Sequence, residues 1–150
     1  MGGERQFCTF SLGGLFLGVE VLKVQEVIRA QAMTRVPLAP TVVRGLINLR
    51  GQIVTAVDLR ERFGLPARSD GQESMNVIVQ TEDGAVSLLV DDIGDVLEVQ
   101  ESDHEEPPET LDPTARSLIL GVYKLPERLL LVLDLQQALT LEPSGAAGAL

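Results

Sequence analysis

Apolar residues along this chain recur in short runs with a two-residue beat, and each run ends at glycine, proline or a polar cluster. That pattern predicts strands joined by tight turns rather than long helices. Phe7–Leu12 and Leu15–Val19 flank Gly13-Gly14 as a first hairpin. Val21–Ile28 fits a short helical turn followed by a strand, and periodicity alone leaves its type open. Pro37 and Pro40 punctuate a loop, after which Thr41 is placed to cap one turn of helix before Gly45. Gly45–Leu49 and Gln52–Val57 are strands on either side of Arg50-Gly51, where a glycine in the second turn position permits positive φ. Asp58 then caps a short helix running to Phe63. Pro66–Ser74 is a polar connector, and Asn76–Thr81 with Ala85–Val90 forms another hairpin about Glu82-Asp83-Gly84.

A repeat underlies these elements. Shifted by 69 positions, Phe16–Ile28 lies over Ala85–Leu97, so that Val19, Val21, Val24 and Val27 meet Leu88, Val90, Ile93 and Val96. Shifted by 76, Gly45–Leu59 lies over Gly121–Leu135, and Gly45, Leu49, Ile53, Val57 and Asp58 meet Gly121, Leu125, Leu129, Leu133 and Asp134. The extra positions fall in the acidic stretch Gln100–Arg116, with its Pro107-Pro108 and Pro113. Two similar, mostly antiparallel barrels sharing an apolar seam are expected. Either half alone would bury only about 60% of its unfolded surface, which is marginal, and packing the two together supplies the missing core. The copies differ at one turn. Arg50-Gly51 in the first is Pro126-Glu127-Arg128 in the second, so the scaffold does not require a cation on a glycine turn.

Composition narrows the function. The chain has 150 residues, four Phe, one Tyr and no Trp, so Val, Leu and Ile must make the core. No apolar run reaches the length of a membrane span, and the start of the chain lacks a signal-peptide core. A single cysteine, Cys8, rules out an internal disulfide and suits a reducing cytoplasm. Net charge is −10, unevenly spread: residues 1–68 hold nine Lys/Arg against five Asp/Glu, whereas residues 69–115 hold fourteen acids and neither Lys nor Arg. Two surfaces for different partners are implied, and nucleic acid is a poor one for so acidic a chain.

Catalytic chemistry finds little support. The one histidine, His104, stands among Glu101, Asp103, Glu105 and Glu106, which reads as a solvated acidic loop without the glycine turn or alternate-residue spacing of a calcium loop. Cys8 alternates with Phe7, Thr9 and Phe10 and is expected in a strand facing the core, with no histidine to activate it. Ser11, Ser87 and Ser117 lie in no nucleophile elbow, and no phosphate-cradling glycine motif occurs. Glu26 and Arg50 are the charged residues that stand out.

At Leu22-Lys-Val-Gln-Glu-Val27, Asn48-Leu-Arg-Gly51, Val57-Asp-Leu-Arg60 and Leu89-Val-Asp-Asp-Ile-Gly-Asp-Val96, the chain resembles the CheW family of bacterial chemotaxis coupling proteins, over about residues 5–141. The resemblance implies a mostly β fold of two pseudo-repeated five-stranded SH3-like β-barrels on a shared hydrophobic core, with short helices. The first barrel would cover about 15–75 and the second about 76–135, residues 5–14 and 136–141 completing the fold and 142–150 forming a frayed tail. It also implies a cytoplasmic adaptor without catalytic activity or cofactor, bridging the cytoplasmic tips of methyl-accepting chemoreceptors to the histidine kinase CheA. By matching position, the receptor-facing surface would comprise Val24, Glu26, Gly45, Arg50, Ile93 and Val96. Its apolar members would line a groove for a receptor helical hairpin, while Arg50 and Glu26 set register. Ser87 departs from the family, which often has glycine there. The alternatives are an adaptor of a non-flagellar chemosensory pathway and, from another class, a small nucleic-acid-binding barrel, which would need a basic face with aromatics.

Overall fold

The hairpins set by local pattern all form in the structure, a computed structural model that describes residues 3–69 and 71–140. In chain order the strands are β1 (Glu4–Leu12), β2 (Leu15–Glu20), β3 (Val24–Ile28), β4 (Val43–Leu49), β5 (Gln52–Asp58), β6 (Met75–Thr81), β7 (Gly84–Val90), β8 (Asp92–Gln100), β9 (His104–Glu105), β10 (Ile119–Lys124) and β11 (Leu129–Leu133). Three short helices accompany them: α1 (Leu59–Arg62), α2 (Pro113–Ser117) and α3 (Leu135–Ala138). Val21–Lys23 is a 3-10 turn leading into β3, which settles the segment whose periodicity was ambiguous. The expected tail at 142–150 lies outside the described residues.

The duplication is visible in full. A shift of 69 carries β2 onto β7 and β3 onto the first half of β8, and a shift of 76 carries β4, β5 and α1 onto β10, β11 and α3. Asp58 and Asp134 cap the two equivalent helices, accepting from the amides of Arg60 and Gln137. Yet the copies do not fold side by side. One sheet has the order β3-β6-β7-β5-β4 and the other β8-β1-β2-β11-β10-β9, so each copy lends its first hairpin to the sheet of the other. The joins are symmetric: β1 pairs antiparallel with β8 as β6 does with β3, and β2 runs parallel to β11 as β7 does to β5. Sheet membership therefore divides the chain differently from the expected 15–75 and 76–135. Residues 24–90 make one sheet, and residues 4–20 with 92–133 make the other. A sequence repeat locates the copies; only pairing between distant strands decides which copy completes which sheet.

Both sheets close. In the six-stranded sheet the edge strands β8 and β9 are separated in sequence only by the 3-10 turn Glu101–Asp103. In the five-stranded sheet, Thr34 beyond edge strand β3 exchanges hydrogen bonds of 2.9 and 2.8 Å with Leu46 of edge strand β4. Closure leaves short edges, as barrels do. Alternate residues of each strand then serve two cores. Val77, Val79, Leu88 and Val90 from one sheet meet Phe10, Leu12, Leu17, Val19, Leu131 and Leu133 from the other in a shared core. The intervening residues Ile78, Ala85 and Leu89 pack with Ile47, Leu49, Val54 and Ala56 inside the first barrel. Phe7, Val99, Tyr123, Leu130 and Val132 fill the second.

Two local expectations need correcting. Thr41 caps no helix: the helical turn forms in the second copy instead, where Asp112 caps the Thr114 amide and Pro113 presets the first turn. The first copy has Val36 before Pro37, which offers no cap, and Leu38 takes a left-handed φ of 66°. Cys8 is only half-buried, because the β1–β8 register slips between Cys8 and Phe10 and lets both Phe7 and Phe10 turn inward. Burial pushes the Cys8 thiol upward, the opposite of an activated nucleophile. Ser87, where the family often has glycine, is fully buried and donates to Asn76 Oδ1 at 2.7 Å, while Asn76 Nδ2 donates to the Arg29 carbonyl at 3.0 Å. The hydroxyl is satisfied, so the departure does not disturb the sheet.

Candidate partner-docking site

Arg50 and Gly51 both have positive φ, 53° and 88°, between the paired residues Leu49 and Gln52. This is the two-residue hairpin turn whose twist suits antiparallel strands, and an arginine in its first position is unusual. Asn48 Oδ1 accepts the Gly51 amide at 2.9 Å and braces the turn. From there the Arg50 guanidinium reaches across the barrel mouth and pairs with Glu26 on β3, at the opposite edge of the same sheet. The pair is not sealed inside the protein: the Arg50 side chain is 69% exposed and that of Glu26 24%. Exposed ion pairs of this kind contribute little to stability, so the arginine remains available to a second carboxylate.

The remaining candidates divide between the two sheets. Val24 and Ile93, equivalent in the repeat, sit on β3 and β8 and pack, each part-exposed, against the shared core. Val96, on β8 opposite Cys8, is 56% exposed. Gly45 is different. It is buried, and a Cβ there would lie 2.7 Å from the Thr34 carbonyl oxygen and 3.1 Å from the Met33 Cβ. Its lack of a Cβ lets the chain beyond β3 press against β4.

Sequence reading passed over two residues. Ile53 pairs with Asn48 beside the turn and is 61% exposed; its alternation within β5 pointed outward and was the available signal. Asn48 itself carries the turn brace, and its place three residues before Gly51 was the clue.

The Val57-Asp-Leu-Arg60 motif serves the fold. Arg60 at the start of α1 binds both oxygens of Asp91 and also donates to the Pro66 carbonyl at 2.7 Å. Asp91 accepts the Gly13 amide at 2.7 Å, and Arg68 Nε lies 3.1 Å from its Oδ1. Asp58, nearly buried, receives Arg44 and lies 3.5 Å from Arg68. This network ties α1, the turn of the first hairpin and the start of β8 together. Among the described residues no group of three or more His, Cys, Asp or Glu is arranged to hold a metal ion, and no helix is long and apolar enough to cross a membrane.

Comparison with known proteins agrees with this architecture. Residues 6–142 match the CheW-like domain family. The chain is 32% identical to the chemotaxis protein CheW of Bacillus subtilis over 145 residues, covering 97% of this chain and 92% of that one. It is 31% identical to the chemotaxis protein CheW of Treponema pallidum over 138 residues, with 89% and 81% covered. It is also 27% identical to protein FrzA of Myxococcus xanthus, with 81% and 75% covered. The crystal structure of the scaffolding protein TtCheW from Thermoanaerobacter tengcongensis superposes with a TM-score of 0.77 at 28% identity, covering 87% of this chain and 89% of that one. With two interlocked barrels, a cation displayed on a turn and relatives of this kind, the chain belongs to the CheW-like family of non-catalytic chemotaxis scaffold proteins.

Proposed function

We propose that the protein couples methyl-accepting chemoreceptors to the histidine kinase CheA in the cytoplasm, and that the receptor docks across the Arg50–Glu26 pair. The observation that carries this reading is the arginine itself. It occupies a left-handed turn position that favours Asn, Asp or Gly, and its guanidinium stays largely in solvent. The second copy of the fold builds its turn from Pro126-Glu127-Arg128, so the barrel alone does not explain Arg50. Val24, Ile93 and Val96 offer part-exposed apolar surface on β3 and β8, and the buried Gly45 lets the chain beyond β3 close against β4. A receptor helix hairpin presenting an apolar face with an acidic neighbour fits that chemistry. Each contact is small, and simultaneous engagement of receptor and kinase supplies avidity through effective concentration.

The test is a pull-down with the cytoplasmic hairpin of a methyl-accepting chemoreceptor from the same genome. Arg50→Glu should abolish capture while the melting curve stays near that of the unaltered protein. Undiminished capture would remove Arg50 from the docking face.

A further inference from the structure

We propose that Asn48 is a positioning residue for the docking face: its side-chain carbonyl holds Arg50 in the left-handed conformation from which the guanidinium spans to Glu26. The inference rests on the receptor-docking reading above and deepens it.

For an L-residue with a Cβ, left-handed backbone is disfavoured because the Cβ crowds the following carbonyl oxygen. Arg50 takes it at φ 53°, between the paired residues Leu49 and Gln52. Asn48 Oδ1 accepts the Gly51 N–H at 2.9 Å, a contact that exists only while the chain doubles back after Leu49. A hydrogen bond of ordinary net worth is comparable to the backbone penalty, so this contact adds to the β4–β5 pairing in holding the turn. Asn48 is exposed on β4, and the neighbouring residues Ile47 and Leu49 make the barrel core. Its side chain is therefore free to serve the turn without serving the packing.

The second copy lacks the device. Lys124 stands where Asn48 would be, and that turn is closed by the backbone alone, Leu125 N–H to the Arg128 carbonyl at 2.8 Å. There the only turn cation, Arg128, lies with its guanidinium carbon 3.6 Å above the centre of the Phe16 ring. A side-chain brace thus accompanies the cation that is displayed and is missing where the cation is laid flat against the protein.

A docking-competent arrangement that is only partly populated weakens apparent affinity by the lost fraction. Asn48→Ala should therefore reduce affinity for the receptor hairpin by about threefold to tenfold. Asn48→Asp keeps the acceptor and should stay within about twofold. Binding is measured by titration calorimetry. The turn is followed separately by NMR, where positive φ at Arg50 gives a strong intraresidue amide–Hα NOE. Loss of both binding and NOE in Asn48→Ala, with both retained in Asn48→Asp, is the expected result. If Asn48→Ala binds like the unaltered protein while Arg50→Glu does not, the positioning role is overturned and the docking reading stands. If Asn48→Ala loses affinity yet keeps the NOE, Asn48 touches the partner directly and the positioning role is again overturned. If Arg50→Glu itself binds normally, both readings fall together.

Discussion

The guanidinium of Arg60 grips the carboxylate of Asp91 as a fork, Nε to Oδ1 at 2.9 Å and Nη2 to Oδ2 at 2.7 Å, with only 14% and 9% of the two side chains exposed. Arg60 belongs to the first copy of the repeat and Asp91 to the second, so the fork is a clasp between them. Paired geometry of this kind is strong, and removing one member leaves the other buried and uncompensated. Asp91→Ala should therefore lower unfolding stability by about 3 kcal/mol, read from urea denaturation.

The same carboxylate predicts a pH dependence. Burial pushes the Asp91 carboxyl up, but the Arg60 hydrogen bonds, the Gly13 amide and the charges of Arg60 and Arg68 outweigh it and leave it below its ordinary 3.8. A depressed value in the folded protein means that the unfolded chain takes up the proton first. The contribution is therefore complete above about pH 4 and lost as pH falls through the folded value. Urea midpoints measured from about pH 5 to about pH 2 should fall more steeply for the unaltered protein than for Asp91→Asn. Parallel slopes would mean that another carboxylate governs acid unfolding.

Equivalent glycines should respond unequally to a methyl group. At Gly45 a Cβ meets the Thr34 carbonyl at 2.7 Å, a backbone atom held in the bridge that closes the barrel. At Gly121 it meets the exposed His104 ring, which can swing aside. Gly45→Ala is expected to cost about 2 kcal/mol and Gly121→Ala clearly less, compared by thermal melting.

Reversing the displayed pair separates its two roles. Glu26→Arg with Arg50→Glu rebuilds an ion pair within the chain, so stability should stay within about 0.5 kcal/mol. A receptor that reads the sign of residue 50 will still fail to bind. Restored capture would show that the pair matters only internally.

The exchanged hairpins make the halves interdependent. Residues 1–68 alone would keep the β1–β2 and β4–β5 hairpins but leave β3 without its partner β6 and strip β2 and β5 of their parallel neighbours. Isolated hairpins are marginal in water. Fragments divided in the 66–74 connector should each be unfolded by circular dichroism and regain strand signal on mixing.

Much of this architecture was legible before any coordinates. Phe7–Leu12, Gln52–Val57 and Ala85–Val90 announce themselves by alternation, and Asp58 and Asp134 by standing just before their helices. These signals are local, read within a few residues by backbone sterics and side-chain period. The family motifs likewise singled out Arg50 and Glu26, though not that they touch. Gly45 illustrates the limit: no local signal shows that it is buried and makes room for Thr34, eleven positions away in sequence. Cys8 was misplaced for a similar reason, since a slip in its pairing with β8 inverts the alternation that sequence presumes.

The chain by itself thus determined its strands, its turns, its duplication and its membership of the CheW-like family, because each depends on neighbours along the backbone or on motif order. Tertiary structure alone decided that β1–β2 and β6–β7 change places, that Arg60 clasps Asp91, and that Arg50 faces Glu26 across a closed barrel. Those outcomes turn on contacts between residues far apart in sequence, whose energies are felt only once the sheets have closed and the shared core has excluded water.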